Sequence, residues 1–215
     1  MGADATNWHI TRGEQRGPEL VKRIWDHLLG SGGVLQDEGN GVVFAFPLTG
    51  AAAHYEFFRG VKDVLARKAG VVMLTTPASK SLGLSSRRIG PELEGQLQSV
   101  LDAEPHKVLV IDDVGLGNTF RHLAGALETA CLRRGLEGPE IVQDGRLFTD
   151  INEHLRALGI QSGVLSRKWW SKGAAGLQST YRASSAQERV RFGRERRYLY
   201  DLGSAYAKAF LDRNR

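Results

Sequence analysis

Two adjacent carboxylates followed by a glycine-rich turn are the part of this chain best suited to chemistry: Asp112 and Asp113, then Val114, Gly115, Leu116, Gly117, Asn118 and Thr119. They follow an apolar run, residues 108–111, of the kind shown by a parallel strand covered on both faces. The next stretch carries Phe120, Leu123, Ala124, Leu127 and Cys131 on one helical face. Strand, glycine turn and helix in that order gather backbone N–H groups at a helix N-terminus, where the helix dipole favours phosphate. The two acids would repel phosphate itself, but they suit the hydroxyls of an attached sugar or a magnesium ion held through water. A sugar phosphate satisfies both halves of the motif.

Residues 108–119, VLVIDDVGLGNT, resemble the phosphoribosyl-pyrophosphate (PRPP) loop of type I phosphoribosyltransferases, where a hydrophobic strand runs into two acids and a hydroxyl-bearing glycine turn. The resemblance implies that Asp112 and Asp113 hold the ribose 2′ and 3′ hydroxyls and, through water, magnesium. Val114, Gly115, Leu116, Gly117, Asn118 and Thr119 are then substrate-binding, with residues 115–119 wrapping the 5-phosphate. Leu116 stands where the family usually carries a hydroxyl donor.

The elements that must position this motif are legible on either side of it. Pro18, after Gly17, reads as the first residue of a helix whose apolar stripe is Leu20, Val21, Ile24, Trp25, Leu28 and Leu29; residues 1–16 show no period. Residues 42–47 form a second apolar run, followed by Leu48, Thr49 and Gly50 and a helix to about residue 68. By the resemblance, Pro47, Leu48, Thr49 and Gly50 belong to the loop that contacts pyrophosphate through backbone amides. Residues 71–75 form a third run and lead into a long, polar, basic segment, 76–90, with the character of a functional loop. There Lys80, Arg87 and Arg88 are the candidates to neutralise departing pyrophosphate, and with Asp112 and Asp113 they complete the implied catalytic set. Residues 91–103 read as a helix, 140–144 as a short strand, 149–158 as a helix and 163–166 as another short strand. The order and spacing of 140–166 are similar to those of orotate phosphoribosyltransferases.

This alternation predicts an α/β fold, an open parallel sheet flanked by helices, with a helical C-terminal extension. Ligands in such sheets bind outside the strand carboxyl ends, so Pro47, Thr75, Asp112 and Asp144 are expected around one cleft. The organisation expected is an N-terminal arm and helix (1–40, a candidate hood over the acceptor), a phosphoribosyltransferase-like core (41–166) and a basic helical extension (167–215).

At 215 residues, 41% of them hydrophobic, the chain is long enough for one substantial core. It has no apolar run of about 18 residues and no apolar stretch near residue 1 like that of a signal peptide, so a cytoplasmic protein with no membrane partner is expected. Cys131, the single cysteine, lies on an apolar helical face and reads as a buried structural thiol rather than a nucleophile. The net charge of +5 is uneven: residues 165–215 carry 12 Lys+Arg against 4 Asp+Glu. Trp169 and Trp170 beside Arg167, Lys168 and Lys172 have the composition of a single-strand nucleic-acid binder. Packing of a C-terminal helix with Val190, Leu199, Leu202, Tyr206 and Phe210 inward, against the core or a partner subunit, is the preferred reading of the tail.

A P-loop ATPase is excluded because no G-x-x-x-x-G-K-[ST] occurs, and a receiver or phosphatase acid site does not require the glycine-threonine turn. The expectation is a magnesium-dependent phosphoribosyltransferase that uses PRPP and an acceptor left open, with a homodimer as the implied assembly. The alternative is a nonenzymatic PRPP- or nucleotide-sensing regulator on the same fold, reaching nucleic acid through its basic tail.

Overall fold

The computed structural model describes residues 3–31, 33–35, 40–47, 51–74, 91–112, 118–162, 165, 170–173, 176–179 and 186–214. Strands β1 (Val42–Pro47), β2 (Gly70–Leu74), β3 (Lys107–Val110) and β4 (Glu140–Gln143) form an all-parallel sheet in the order β2-β1-β3-β4. Helices α1 (Ala3–Leu29), α2 (Ala52–Leu65), α3 (Pro91–Leu101), α4 (Asn118–Arg134), α5 (Gly145–Ala157) and α6 (Ala186–Arg213) accompany it. A separate antiparallel hairpin pairs β5 (Trp170–Gly173) with β6 (Gly176–Ser179).

The apolar runs are strands because both of their faces are covered. Alternate side chains of β1 and β3 divide between two cores, as the strand period of two requires. Val42, Phe44, Phe46, Leu109 and Ile111 face α1, α2, α5 and α6, whereas Val43, Ala45, Val108 and Val110 face α3 and α4. On the first face Phe58 packs against Phe44 and Phe46 with ring centroids 4.7 and 5.6 Å apart. Each such fully buried aromatic stabilises the fold by about 1.5–3 kcal/mol relative to its exposure. Cys131 is buried against Leu123 and Leu127 in the second core, and burial raises its pKa, in keeping with an inert thiol.

α6 lies across α2 at backbone distance. A Cβ added to Gly60 would fall 2.0 Å from the carbonyl oxygen of Tyr200, and one added to Gly203 would fall 2.1 Å from that of Phe57. Only two facing glycines admit so close a crossing. Around it Glu56, buried, is gripped by Arg196 and by Arg59 at 3.1 Å, and the Tyr200 hydroxyl donates to Asp63 at 2.9 Å. Leu199, Tyr206, Ala207 and Phe210 extend the contact into the core.

Several boundaries differ from those expected. α1 begins at Ala3 and carries Pro18 in its interior. Gly17 is no helix start but the surface on which the Tyr206 ring rests, since a Cβ there would lie 2.6 Å from that ring. α5 begins at Gly145 rather than residue 149, because the Asp144 side chain caps it. The strand expected at 163–166 is not formed by its described residue: Leu165 donates its N–H to Gln161 O at 3.1 Å, as in a helical turn. Val190, expected inward, is 54% exposed.

Gly203→Ala is expected to destabilise by about 3 kcal/mol or more, since neither backbone can retreat. Gly193→Ala, on an exposed turn of the same helix with nothing within 4 Å of the added Cβ, is expected to stabilise by about 0.5–1 kcal/mol. Urea unfolding of both variants checks the pair. A second expectation concerns His154, buried between Phe57 and Tyr206 at centroid distances of 6.0 and 5.4 Å. Burial, reinforced by Arg23 and Arg16, lowers its pKa from 6.5 to about 4. The unfolded chain therefore takes up this proton below pH 6.5 while the folded chain resists until pH 4. Stability from this group is complete above that window and falls across it on acidification, by about 3 kcal/mol in all. Unfolding free energies at several pH values should show the loss, and His154→Leu should flatten it.

Candidate functional site

The strand order contains one reversal. From β1 the chain passes through α2 to β2 on one side, and from β3 it passes through α4 to β4 on the other. α2 and α4 lie on opposite faces, so the carboxyl ends of β1 and β3 border the crevice where open α/β sheets bind ligands. Ile111 N–H donates to Ala45 O at 2.9 Å, continuing the β1–β3 pairing past the last strand residue. That register sets Asp112, half-buried, next to the buried Pro47 end of β1.

Of the expected site residues, Pro47 and Asp112 are thus brought to one edge. Leu48, Thr49, Gly50, Lys80, Arg87, Arg88, Asp113, Val114, Gly115, Leu116 and Gly117 lie outside the described residues, as does Thr75. Asn118 and Thr119 open α4, which places that helix's first turn immediately after the glycine segment. In the tail, Arg167, Lys168 and Trp169 lie outside the described residues, and Trp170 and Lys172 belong to β5.

Three helices start at this edge, and their N-termini differ. At α5, Asp144 Oδ1 accepts the Leu147 N–H at 2.9 Å, and Oδ2 accepts from His27 Nε2 at 2.6 Å. Asp144 is therefore at a strand end as expected, but its carboxylate is committed to the helix cap and to α1. α2 is the opposite case: its N-cap is Ala51, and no side chain caps it. The positive end of α2 faces the β1 carboxyl end with no carboxylate of its own in the first turn. Among the described residues no group of three or more His, Cys, Asp or Glu side chains has metal-binding geometry, and no helix is long and apolar enough to cross a membrane.

The chain matches no family model, no curated protein and no solved structure. Two groups at the α2 N-terminus escape a reading by motif. His54, fully buried in the first turn, stacks on Phe148 of α5 at 4.2 Å with planes 11° apart, and its Nδ1 is 2.9 Å from Ser162 Oγ. Glu56, with Arg59 and Arg196, ties the next turn to α6. Both clusters fix the direction in which the uncapped N-terminus of α2 points. The only sequence signal for either is a His and a Glu inside an otherwise apolar helix face.

Because Asp144 holds both the α5 cap and His27, Asp144→Ala is expected to cost about 2–4 kcal/mol, while Asp144→Asn, which keeps a capping oxygen, should cost less. Thermal unfolding of the two variants separates the cap from the His27 contact. Equal losses would mean that the cap contributes nothing.

Proposed function

We propose that the chain is a type I phosphoribosyltransferase-like enzyme that transfers ribose 5-phosphate from PRPP to an acceptor and releases pyrophosphate. The observation that carries this reading is the place of Asp112: it follows β3 at the sheet's reversal point, beside the end of β1 and the uncapped α2, and in the sequence the glycine segment leads from it to the start of α4. A phosphate-bearing sugar suits that position, with backbone donors of a helix N-terminus for the anion and carboxylates for the sugar hydroxyls.

In this reaction the bond from ribose C1 to pyrophosphate breaks, its electron pair leaves with pyrophosphate, and a nucleophilic atom of the acceptor forms the new bond to C1. The transition state carries positive charge on the sugar, so the protein's work is mainly charge placement. Asp112 and Asp113 hold the ribose hydroxyls and oppose that positive charge. Magnesium, held by the same two acids through water, would supply charge neutralisation on the pyrophosphate. Lys80, Arg87 and Arg88 serve the leaving group, and the residues from Leu48 to Gly50 offer backbone amides to it. A cytoplasmic setting and a homodimer belong to the same reading. A second reading, a PRPP- or nucleotide-sensing regulator, is favoured by Leu116, which places an apolar side chain where a hydroxyl would grip phosphate.

Titration calorimetry with magnesium-PRPP is expected to show saturable binding that is lost in the Asp112→Asn/Asp113→Asn double variant with the fold intact. Pyrophosphate release in an acceptor screen then separates enzyme from sensor, because a sensor binds without release. Absence of binding by the unmodified protein sinks the transferase and the PRPP-sensing reading alike.

A further inference from the structure

Gln143 is a polar side chain on an apolar face of the sheet. Val43, Ala45, Leu74, Val108 and Val110 line the face that α3 and α4 cover, and Ile141 of β4 packs on it. Val142 packs against the opposite core, so the strand period returns Gln143 to the α3–α4 face at the last position of β4. Its Nε2 is buried there, and among the described residues no group accepts a hydrogen bond from it. A buried donor without an acceptor costs stability that the free fold does not recover. An apolar side chain of the same length would fill the place without that cost.

The register fixes what the amide stands beside. Gln143 is paired with Val110, and the Asp144 N–H donates to Val110 O at 2.9 Å. Ile111 is buried in the opposite core, so the alternation of β3 carries Asp112 onto the same face as Val110 and Gln143. Neighbouring strands lie about 4.8 Å apart and two residues advance about 6.6 Å, which sets the Asp112 and Gln143 backbones about 8 Å apart. Two side chains at that separation can meet on one small group between them. Both residues lie at the carboxyl edge and both are partly buried, and the soft last torsion of a glutamine lets its N–H bonds turn toward that edge.

A carboxylate only accepts, and an amide N–H donates. The group that answers both is a hydroxyl, which gives its proton to the acid and takes a hydrogen bond from the amide. A phosphate oxygen would satisfy the amide but be repelled by Asp112, and an ammonium would satisfy Asp112 but offer the amide no acceptor. We propose that Gln143 is a substrate-binding residue, which donates its amide N–H to a ribose hydroxyl whose proton Asp112 accepts. The inference rests on the transfer reading and adds to it a residue that reads the sugar rather than the pyrophosphate. The amide's hydrogen bond is then made in the complex, and the free protein carries its cost.

Gln143→Met removes the amide and keeps its length, and the test compares this variant with the unmodified full chain. In urea unfolding without ligand, Gln143→Met is expected to be at least as stable as the unmodified chain. Calorimetric titration with magnesium-PRPP should show affinity about tenfold weaker, the scale of one hydrogen bond. Magnesium-pyrophosphate, which has no sugar, should bind both proteins equally. The inference falls, with the transfer reading intact, if Gln143→Met binds magnesium-PRPP as tightly as the unmodified chain. It falls equally if pyrophosphate suffers the same loss, or if the free variant is less stable, since either result makes the amide a structural group. An unmodified chain that binds no magnesium-PRPP overturns the transfer reading and this inference with it.

Discussion

The pairing of β1 with β3 is the constraint on which the other elements depend. Both strands are apolar on both faces, so neither face of the sheet can be left to water, and helices must cover each. The coverage is unequal: α3 and α4 lie on one side, and α1, α2, α5 and α6 on the other. With both faces closed, the surfaces that remain near the central strands are their ends. Chemistry that draws on the central strands is thereby confined to an edge, and the reversal of strand order between β1 and β3 selects the carboxyl one.

Electrostatics at that edge are set by which helix ends are already satisfied. α5 spends its N-terminal donors on Asp144, whose second oxygen is held by His27. α2 begins at alanine residues and is anchored from behind by His54 and Glu56, neither of which supplies a cap. α4 begins as soon as the acid-glycine segment ends. The edge therefore contains one neutralised helix end, one uncapped end and one that follows two acids. This uneven distribution distinguishes the neighbourhood of Pro47 and Asp112 from that of Asp144, although all three lie at strand ends.

Much of the sheet was legible because burial on two faces leaves an uninterrupted apolar run, and such runs mark β1, β2 and β3 directly. The faces of α2 and α4 were legible from their helical period, with Phe57, Phe58, Val61, Leu123 and Leu127 inward. What was not legible depends on partners far away in the chain. Gly17 and Pro18 form a local signal for a helix start, but the Tyr206 ring that needs Gly17 bare is supplied by α6. Asp144 reads locally as a strand end, and the cap that starts α5 early is a side-chain choice with no period. His54 meets Ser162 across 108 positions and Glu56 meets Arg196 across 140. A lone polar residue on an apolar face carries no spacing by which such a partner is found. Pro47 and Asp112 were legible as neighbours at one sheet edge because strand ends are themselves legible.

The backbone contact between α2 and α6 also bears on the order in which the molecule can be completed. Parallel pairing of β1 with β2 and β3 can form once residue 110 is available, but the face formed by Phe44, Phe46, Phe57 and Phe58 stays incomplete until α6, from the far end of the sequence, lies across Gly60. Closing so long a loop is slow, because its entropy is lost before the contacts that reward it are made. During synthesis the chain therefore carries an aromatic surface that it cannot yet cover, in the manner of folding intermediates prone to association. Completion of the core is a late event, and the two glycines that allow α6 to seat govern it.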